Sequence, residues 1–343
     1  MSSKIIPVSI IGLGRIGFLH EKDPKRLKPA THFGMWYKNK KAKIVSVCDT
    51  DKTKEFLVSR NKKYKIKFFT NPVDLLKKTK PKIVSISTWK NTHYIIARKC
   101  IDYGVKVIVL EKPLANNISQ AKKLVYHAKK KGVKIIVNHR RRFDTEIIKL
   151  KNKIENNYLG LIKQVNCQYV YGILTTGTHV IDTLRMLFEK KYGKIKYVIG
   201  IKKNNNNFHS KDDINCDALL FFEKKDLVVS MQNLNIKDYD IFDFAIYGSK
   251  KKLKITGIGR TIQIKNIINS PEHSNFKELG KNYSSICDRP RDQFRRLAEN
   301  ALKCLDSKAY PLCDDVDSFK DMLIINQIIK SSKNNSKKIK VKY

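Results

Sequence analysis

Three glycines, Gly12, Gly14 and Gly17, follow the apolar run Pro7–Ile11 at the spacing G-x-G-x-x-G. A buried parallel strand that hands over to a phosphate-binding turn uses glycine at these places for three reasons. The first permits a tight turn, the second lets backbone approach a pyrophosphate, and the third lets the next helix lie against the strand. Free N–H groups at that helix start, those of Arg15 and Ile16 included, would hold the anion. The same spacing also occurs in strand–turn–helix units that bind nothing, so context must decide. Lys112 follows a second apolar run, Val105–Leu110, and ligands gather at the carboxyl ends of parallel strands. A lysine there can polarise a carbinol oxygen and relay its proton; the alternative is one more exposed lysine. His179 stands early in an expected helix, where the dipole favours the neutral imidazole that a general base needs. Asp182, three residues on, shares its face. The alternatives are a histidine buried for packing and an aspartate that ties the helix down. Arg140, Arg141 and Arg142 can clamp a carboxylate or diphosphate, or form a solvated turn.

These residues need a sheet to position them, and the chain supplies its elements in alternation. The helix that starts at Arg15 is interrupted by His20–Pro29, polar and twice broken by proline; helical periodicity resumes over Ala30–Tyr37. The interruption is read as an inserted loop, either shaping a pocket or decorating the surface. A second strand, Lys43–Asp49, ends in an acid, in the place where an acid accepts from adenosine ribose hydroxyls. It lies about thirty residues past Gly17 rather than the usual ~20, and the insertion accounts for the excess. Thr50 follows with no arginine beside it, which favours NAD over NADP; the alternative for Asp49 is an acid opening an exposed turn. Strands are expected at Ile66–Phe69, Lys82–Thr88, Val105–Leu110 and Val133–Asn138. The intervening helices are Val73–Thr79, His93–Tyr103 and Ile118–Lys131. Six strands alternating with helices predict a doubly wound parallel sheet, an α/β Rossmann domain over residues 1–143.

Beyond Phe143 the pattern changes. Helix Thr145–Asn156, strand Ile162–Tyr171 and a helix from about Thr176 to Phe188 lead into a run of strands. These are Lys196–Lys203, Asn215–Phe222, Leu227–Leu234, Ile241–Tyr247, Lys252–Thr256 and Thr261–Ile264. Such a run predicts an α+β domain with an open, mostly antiparallel sheet over residues 144–332. Lys203–Asn207 reads as a loop, Asp292–Asp306 and Asp317–Ile329 as closing helices of this domain, and 333–343 as a loosely held basic tail.

Lys and Arg total 71 against 31 acids, a formal charge of +40. The sharp reading is a nucleic-acid or anionic-membrane binder; the preferred one is a compositional bias that scatters lysine over every exposed face. No basic stripe or aromatic-interleaved RNA motif stands out, so no specific nucleic-acid partner is expected. No apolar run approaches the roughly 18 residues of a membrane span, and no cleavage site follows Ile5–Ile11, which argues against a signal peptide. Seven scattered cysteines without a C-x-x-C pair suit reduced thiols in a cytoplasm. The histidines form no metal-ligand grouping, and no metal is expected.

Read together, Gly12-x-Gly14-x-x-Gly17, Cys48-Asp49, Glu111-Lys112-Pro113, the Asn138–Phe143 segment and Gly177–Asp182 resemble the glucose–fructose oxidoreductase/inositol dehydrogenase (Gfo/Idh/MocA) superfamily over most of the chain. The resemblance implies a tightly bound nicotinamide cofactor, a sugar, cyclitol or nucleotide-sugar substrate, and a homo-oligomer (dimer or tetramer) built on the open sheet. It places Glu111, Lys112, Thr88 and His93 near the cofactor, with Pro113 cis. It also places Arg140, Arg141, Thr175, His179 and Asp182 along the substrate. Many members carry an aspartate four residues before the histidine, where this chain has Thr175, here a hydrogen-bond donor to the sugar. The resulting expectation is an NAD-dependent dehydrogenase of a sugar carbinol, with a nucleotide sugar for surface glycans preferred and Lys112 and His179 handling the proton. A free-sugar or cyclitol dehydrogenase is the first alternative. A non-catalytic NAD(H) sensor, motivated by Thr175, is the second.

Overall fold

The computed structural model describes residues 5–59, 65–203, 213–288, 292–306 and 308–343. Of the asparagine-rich loop, Asn204–Asn207 lies outside the described residues. The chain divides into two units, residues 1–143 with 292–319, and 144–291 with 320–343.

The first unit is built on β1 (Ile6–Ile11), β2 (Ala42–Cys48), β3 (Lys67–Phe69), β4 (Ile83–Ile86), β5 (Val107–Leu110) and β6 (Lys134–Val137), ordered β3-β2-β1-β4-β5-β6. Every neighbouring pair is parallel. The Val/Ile-rich strands β4 and β5 are buried along their whole length, as expected of strands covered on both faces. The strand order reverses between β1 and β4, and the carboxyl ends of the strands at such a switch point are where sheets of this kind take their ligands. The flanking helices are capped by residues at their own ends. Asn71 accepts from Val73 N–H ahead of Pro72, and Asn117 accepts from Gln120 N–H. Gly132 closes α-helix Ile118–Lys131 in the left-handed region.

The first helix departs from expectation. Residues 15–18 form only turns, followed by a short 3-10 segment, Leu19–Glu21, and the regular helix is His32–Tyr37. The carbonyls of Ile16 and Gly17 accept from His32 N–H (3.0 Å) and Phe33 N–H (2.9 Å). The insertion is therefore looped out, and its far end resumes the turn that its near end began. Glu21 pins this splice, taking Ala30 N–H at 2.8 Å and the Thr31 hydroxyl at 3.0 Å.

Residues 292–319 were expected to close the second domain and instead belong to the first unit. The reason is packing. Helix Gln293–Lys303 buries Phe294, Leu297, Ala298 and Ala301, with the Phe294 ring edge-on to His32. Lys134 Nζ donates to the carbonyls of Asp306 and Ala309, and Arg142 pairs with Asp317 at 2.7 Å.

In the second unit the sheet strands are β7 (Ile162–Val170), β8 (Ile195–Lys202), β9 (Cys216–Phe222), β10 (Val228–Leu234), β11 (Phe242–Gly248), β12 (Lys251–Thr256), β13 (Thr261–Asn269), β14 (Lys277–Leu279), β15 (Ser284–Asp288) and β16 (Ile339–Lys340). Their order is β14-β13-β12-β11-β7-β10-β9-β8-β16, with β15 also on β13. All described pairs are antiparallel except β10 with β7. The alternation within β9 sends Cys216, Ala218, Leu220 and Phe222 to one core with Val180, Leu184 and Phe188 of helix Thr178–Tyr192. The opposite face carries lysines over aromatic rings, Lys252 on Tyr247 at 4.5 Å and Lys265 on Tyr283 at 4.7 Å. The tail expected to be loose is tied down: β16 pairs with β8, and the Tyr343 hydroxyl donates to Ile195 O.

Candidate active site

The glycine turn sits at the strand-order reversal of the first unit. Gly12 has φ +97°, and a Cβ on it would lie 2.7 Å from the Ser87 backbone. A Cβ on Gly17 would lie 2.1 Å from the Gly12 carbonyl oxygen. Beyond its two chain neighbours, no atom of the described residues lies within 4 Å of a carbon added at Gly14. Two glycines are thus demanded by the protein's own backbone, while the middle one borders open space of the kind a pyrophosphate would fill. Ser87 locks the turn to β4, its hydroxyl donating to Gly12 O at 2.8 Å.

β2 ends at Cys48, one residue short of the expected end, and Asp49 follows it directly; its carboxylate does more than wait for a ribose. Oδ2 accepts from Leu13 N–H at 2.7 Å and from Lys54 Nζ at 3.0 Å, and Oδ1 from Asp51 N–H at 3.0 Å. It therefore braces the glycine turn directly. Lys54 was not singled out from sequence; the signal is Asp51, whose side chain caps the 3-10 segment that carries Lys54.

Lys112 is bracketed by two anchored neighbours. On one side Glu111 Oε1 accepts from Asn138 Nδ2 at 2.6 Å and lies 2.9 Å from Nε2 of the fully buried His32. Burial alone would raise the Glu111 pKa, but the bonds and charge of His32, the Asn138 bond and the Lys112 charge outweigh it and hold the carboxyl at about 2. On the other side the Pro113 carbonyl is 2.7 Å from His93 Nδ1, whose Nε2 is 3.1 Å from Thr88 O. His93 thus ties the end of β4 to the loop after β5. Its burial lowers its pKa, against the opposing pull of the two carbonyls. The Lys112–Pro113 peptide is cis. His32, passed over in the sequence, enters this network because the splice delivers it beneath Glu111.

Arg140, Arg141 and Arg142 form a 3-10 turn with Phe143, and Arg141 and Arg142 are buried. The solvated-turn alternative is wrong for these two. Arg142 serves the fold through Asp317 and the Leu312 carbonyl.

The second unit gathers the remaining candidates in one stretch. Five residues, Ile173–Gly177, form a wide π-type turn that feeds helix Thr178–Tyr192. His179 and Asp182 are buried in its first turns, and Thr183 Oγ1 donates to the His179 carbonyl. Thr175 corrects its expected role. Its hydroxyl donates to Asp213 Oδ2 at 2.6 Å, so its proton is committed within the protein. Further along the helix the wholly buried Arg185 pairs with Asp321 at 2.6 Å and Glu189 at 3.0 Å.

Comparison with known proteins agrees with this architecture. Residues 6–139 match the family described as "Oxidoreductase family, NAD-binding Rossmann fold", and residues 172–341 match its "C-terminal alpha/beta domain". The chain is 28% identical over 198 residues to the uncharacterised oxidoreductase YhhX of Escherichia coli, covering 53% of this chain and 55% of that one. It is 27% identical over 153 residues to myo-inositol 2-dehydrogenase of Thermotoga maritima, covering 45% and 42%. It spans about half the length of these curated relatives. In fold it is similar to the WlbA dehydrogenase of Bordetella pertussis, solved with NADH and UDP-GlcNAcA, at a TM-score of 0.75 and 17% identity over 99% of this chain and 100% of that one. With both of the family's domains matched in order, and with a glycine turn whose open side fits a dinucleotide, the chain belongs to the Gfo/Idh/MocA oxidoreductase family, and its first unit is an NAD-binding Rossmann domain.

Proposed function

We propose that the protein is a nicotinamide-dependent dehydrogenase that transfers hydride between a sugar carbinol carbon and NAD, with a nucleotide sugar as the favoured substrate. The observation that carries this reading is Lys112, held in a cofactor-binding unit between the anchored Glu111 and Pro113. Gly14, with Arg15 and Ile16 following, takes the pyrophosphate on backbone N–H groups, and Asp49 takes the ribose hydroxyls. Thr88, His93 and Glu111 shape the wall on which Lys112 stands. Bound nicotinamide supplies the hydride acceptor or donor. Lys112 Nζ polarises the carbinol oxygen, and Lys112 with His179 holds and moves its proton. Arg140, Arg141, Thr175 and Asp182 orient the substrate. A net charge of +40 raises the local concentration of anionic substrates such as a sugar diphosphate.

A cyclitol dehydrogenase is the second reading, favoured by the similarity to a myo-inositol dehydrogenase. Purified protein supplied with NAD and either UDP-GlcNAcA or myo-inositol decides between them through growth of the reduced-nicotinamide absorbance. Lys112→Ala is expected to lower kcat by ~10²–10⁴-fold while NADH still binds. Bound NADH that no sugar forms and no keto-sugar re-oxidises would replace this reading with the sensor.

A further inference from the structure

The position where related chains were expected to carry an aspartate holds Thr175, yet a carboxylate stands against it. Asp213 is 1% exposed and comes from a segment 38 residues along the chain. Its Oδ1 accepts from Leu174 N–H (2.8 Å) and Ile214 N–H (2.9 Å), and its Oδ2 from Thr175 N–H (2.9 Å) and the Thr175 hydroxyl (2.6 Å). Gly172 leaves the room for it, since a Cβ there would lie 2.1 Å from the Asp213 carboxyl carbon. The turn Ile173–Gly177 is thus wrapped on a buried carboxylate, and Thr175 itself remains partly exposed.

An ionised carboxylate can only accept, so the Thr175 proton must point at Asp213. Toward any other partner the Thr175 oxygen then offers lone pairs alone. We propose that Asp213 is a positioning residue that makes Thr175 a fixed acceptor, selecting a substrate that presents a hydroxyl or N–H donor at that point. This rests on the sugar-dehydrogenase reading above and deepens it. Ligands with an ether or carbonyl oxygen there would meet an acceptor facing an acceptor, and a site built for a hydrogen bond rejects the partner that lacks it.

The test uses the full-length protein, NAD, and whichever of UDP-GlcNAcA and myo-inositol the wild type oxidises. Thr175→Val removes the oxygen and leaves the backbone bonds to Asp213 in place. Its KM is expected to rise about tenfold, the cost of stranding a substrate donor, with kcat changed far less, as for an interaction made equally in ground and transition states. Thr175→Ser should recover most of the loss. Asp213→Asn should raise KM by a comparable factor, and combining it with Thr175→Val should add nothing further. Thermal melting and NADH affinity separate this from a folding defect. If Asp213→Asn fails to fold, the valine and serine pair decides alone. Wild-type KM in Thr175→Val, or equal damage in Thr175→Ser, overturns the inference while the dehydrogenase stands. A wild type that oxidises neither probe overturns the dehydrogenase reading and this inference with it.

Discussion

At the scale of single residues, the three glycines have separable jobs. Gly17→Ala would drive a carbon to 2.1 Å from the Gly12 carbonyl, and backbone cannot yield as a side-chain tip can. That variant should melt well below wild type. Gly14→Ala meets nothing, so its melting temperature should stay within a degree or two while NADH affinity falls at least tenfold, checked by calorimetric titration. Glu111 supplies a pH signature. Its carboxyl is lowered from 4.5 to about 2, so the native state releases that proton more readily than the unfolded chain. The stabilisation is present above pH 4.5 and is lost as pH falls toward 2, up to about 3 kcal/mol. Glu111→Gln should be less stable at pH 7 and show a flatter acid limb in denaturant titrations between pH 5 and 3. These contacts were only partly legible in advance. Glu111 and Lys112 were readable from their motif, whereas His32 was not, because nothing local shows that residue 32 comes to rest under residue 111.

At the scale of elements, the helix after the glycine turn is assembled from two pieces of chain. The hydrogen bonds from His32 and Phe33 back to Ile16 and Gly17 make the insertion a looped-out segment rather than the end of the helix. Glu21 holds it through Ala30 and Thr31, so Glu21→Ala strands two donors and should cost ~1–3 kcal/mol in urea unfolding. Helix Thr178–Tyr192 is held in a different way, by Arg185 between Asp321 and Glu189 with the guanidinium wholly buried. Asp321→Asn leaves that charge half-compensated and is expected to cost ~3–5 kcal/mol, more than any exposed lysine pair on the same unit. The sheet alternation that seats this helix is visible along the chain. The arginine's partner at position 321 is not, because ion pairing across 136 residues leaves no periodic trace.

At the scale of the whole molecule, a formal charge of +40 goes with many lysines laid over aromatic rings. Lysines lie over tyrosine and phenylalanine rings across the second unit's sheet, and among the described residues no helix is long and apolar enough to cross a membrane. Six of the seven cysteines are buried free thiols, and burial pushes Cys48 up to about 12 and Cys216 to about 11. A thiol reagent acting on the native protein should therefore modify at most one cysteine quickly and all seven only in denaturant. Rapid native reaction of two or more would show that the cores open more readily than their packing implies.

What the amino-acid order determined unaided is everything that repeats or abuts in the chain. The Val/Ile strands, the capped helices, the glycine turn with Asp49 at the next strand's end, and the alternation of the second sheet all rest on spacings of a few residues. Local sterics and hydrophobic periodicity enforce those spacings wherever the segment lies. Tertiary structure alone decided the rest: that residues 292–319 return to the first unit, that the tail becomes a strand, that His32 meets Glu111, and that Asp213 takes the Thr175 proton. Each is a pairing between distant segments, chosen because an apolar face must be covered or a buried donor or acceptor must find its complement. Those requirements dictate that a partner exists and leave its number in the chain to the fold.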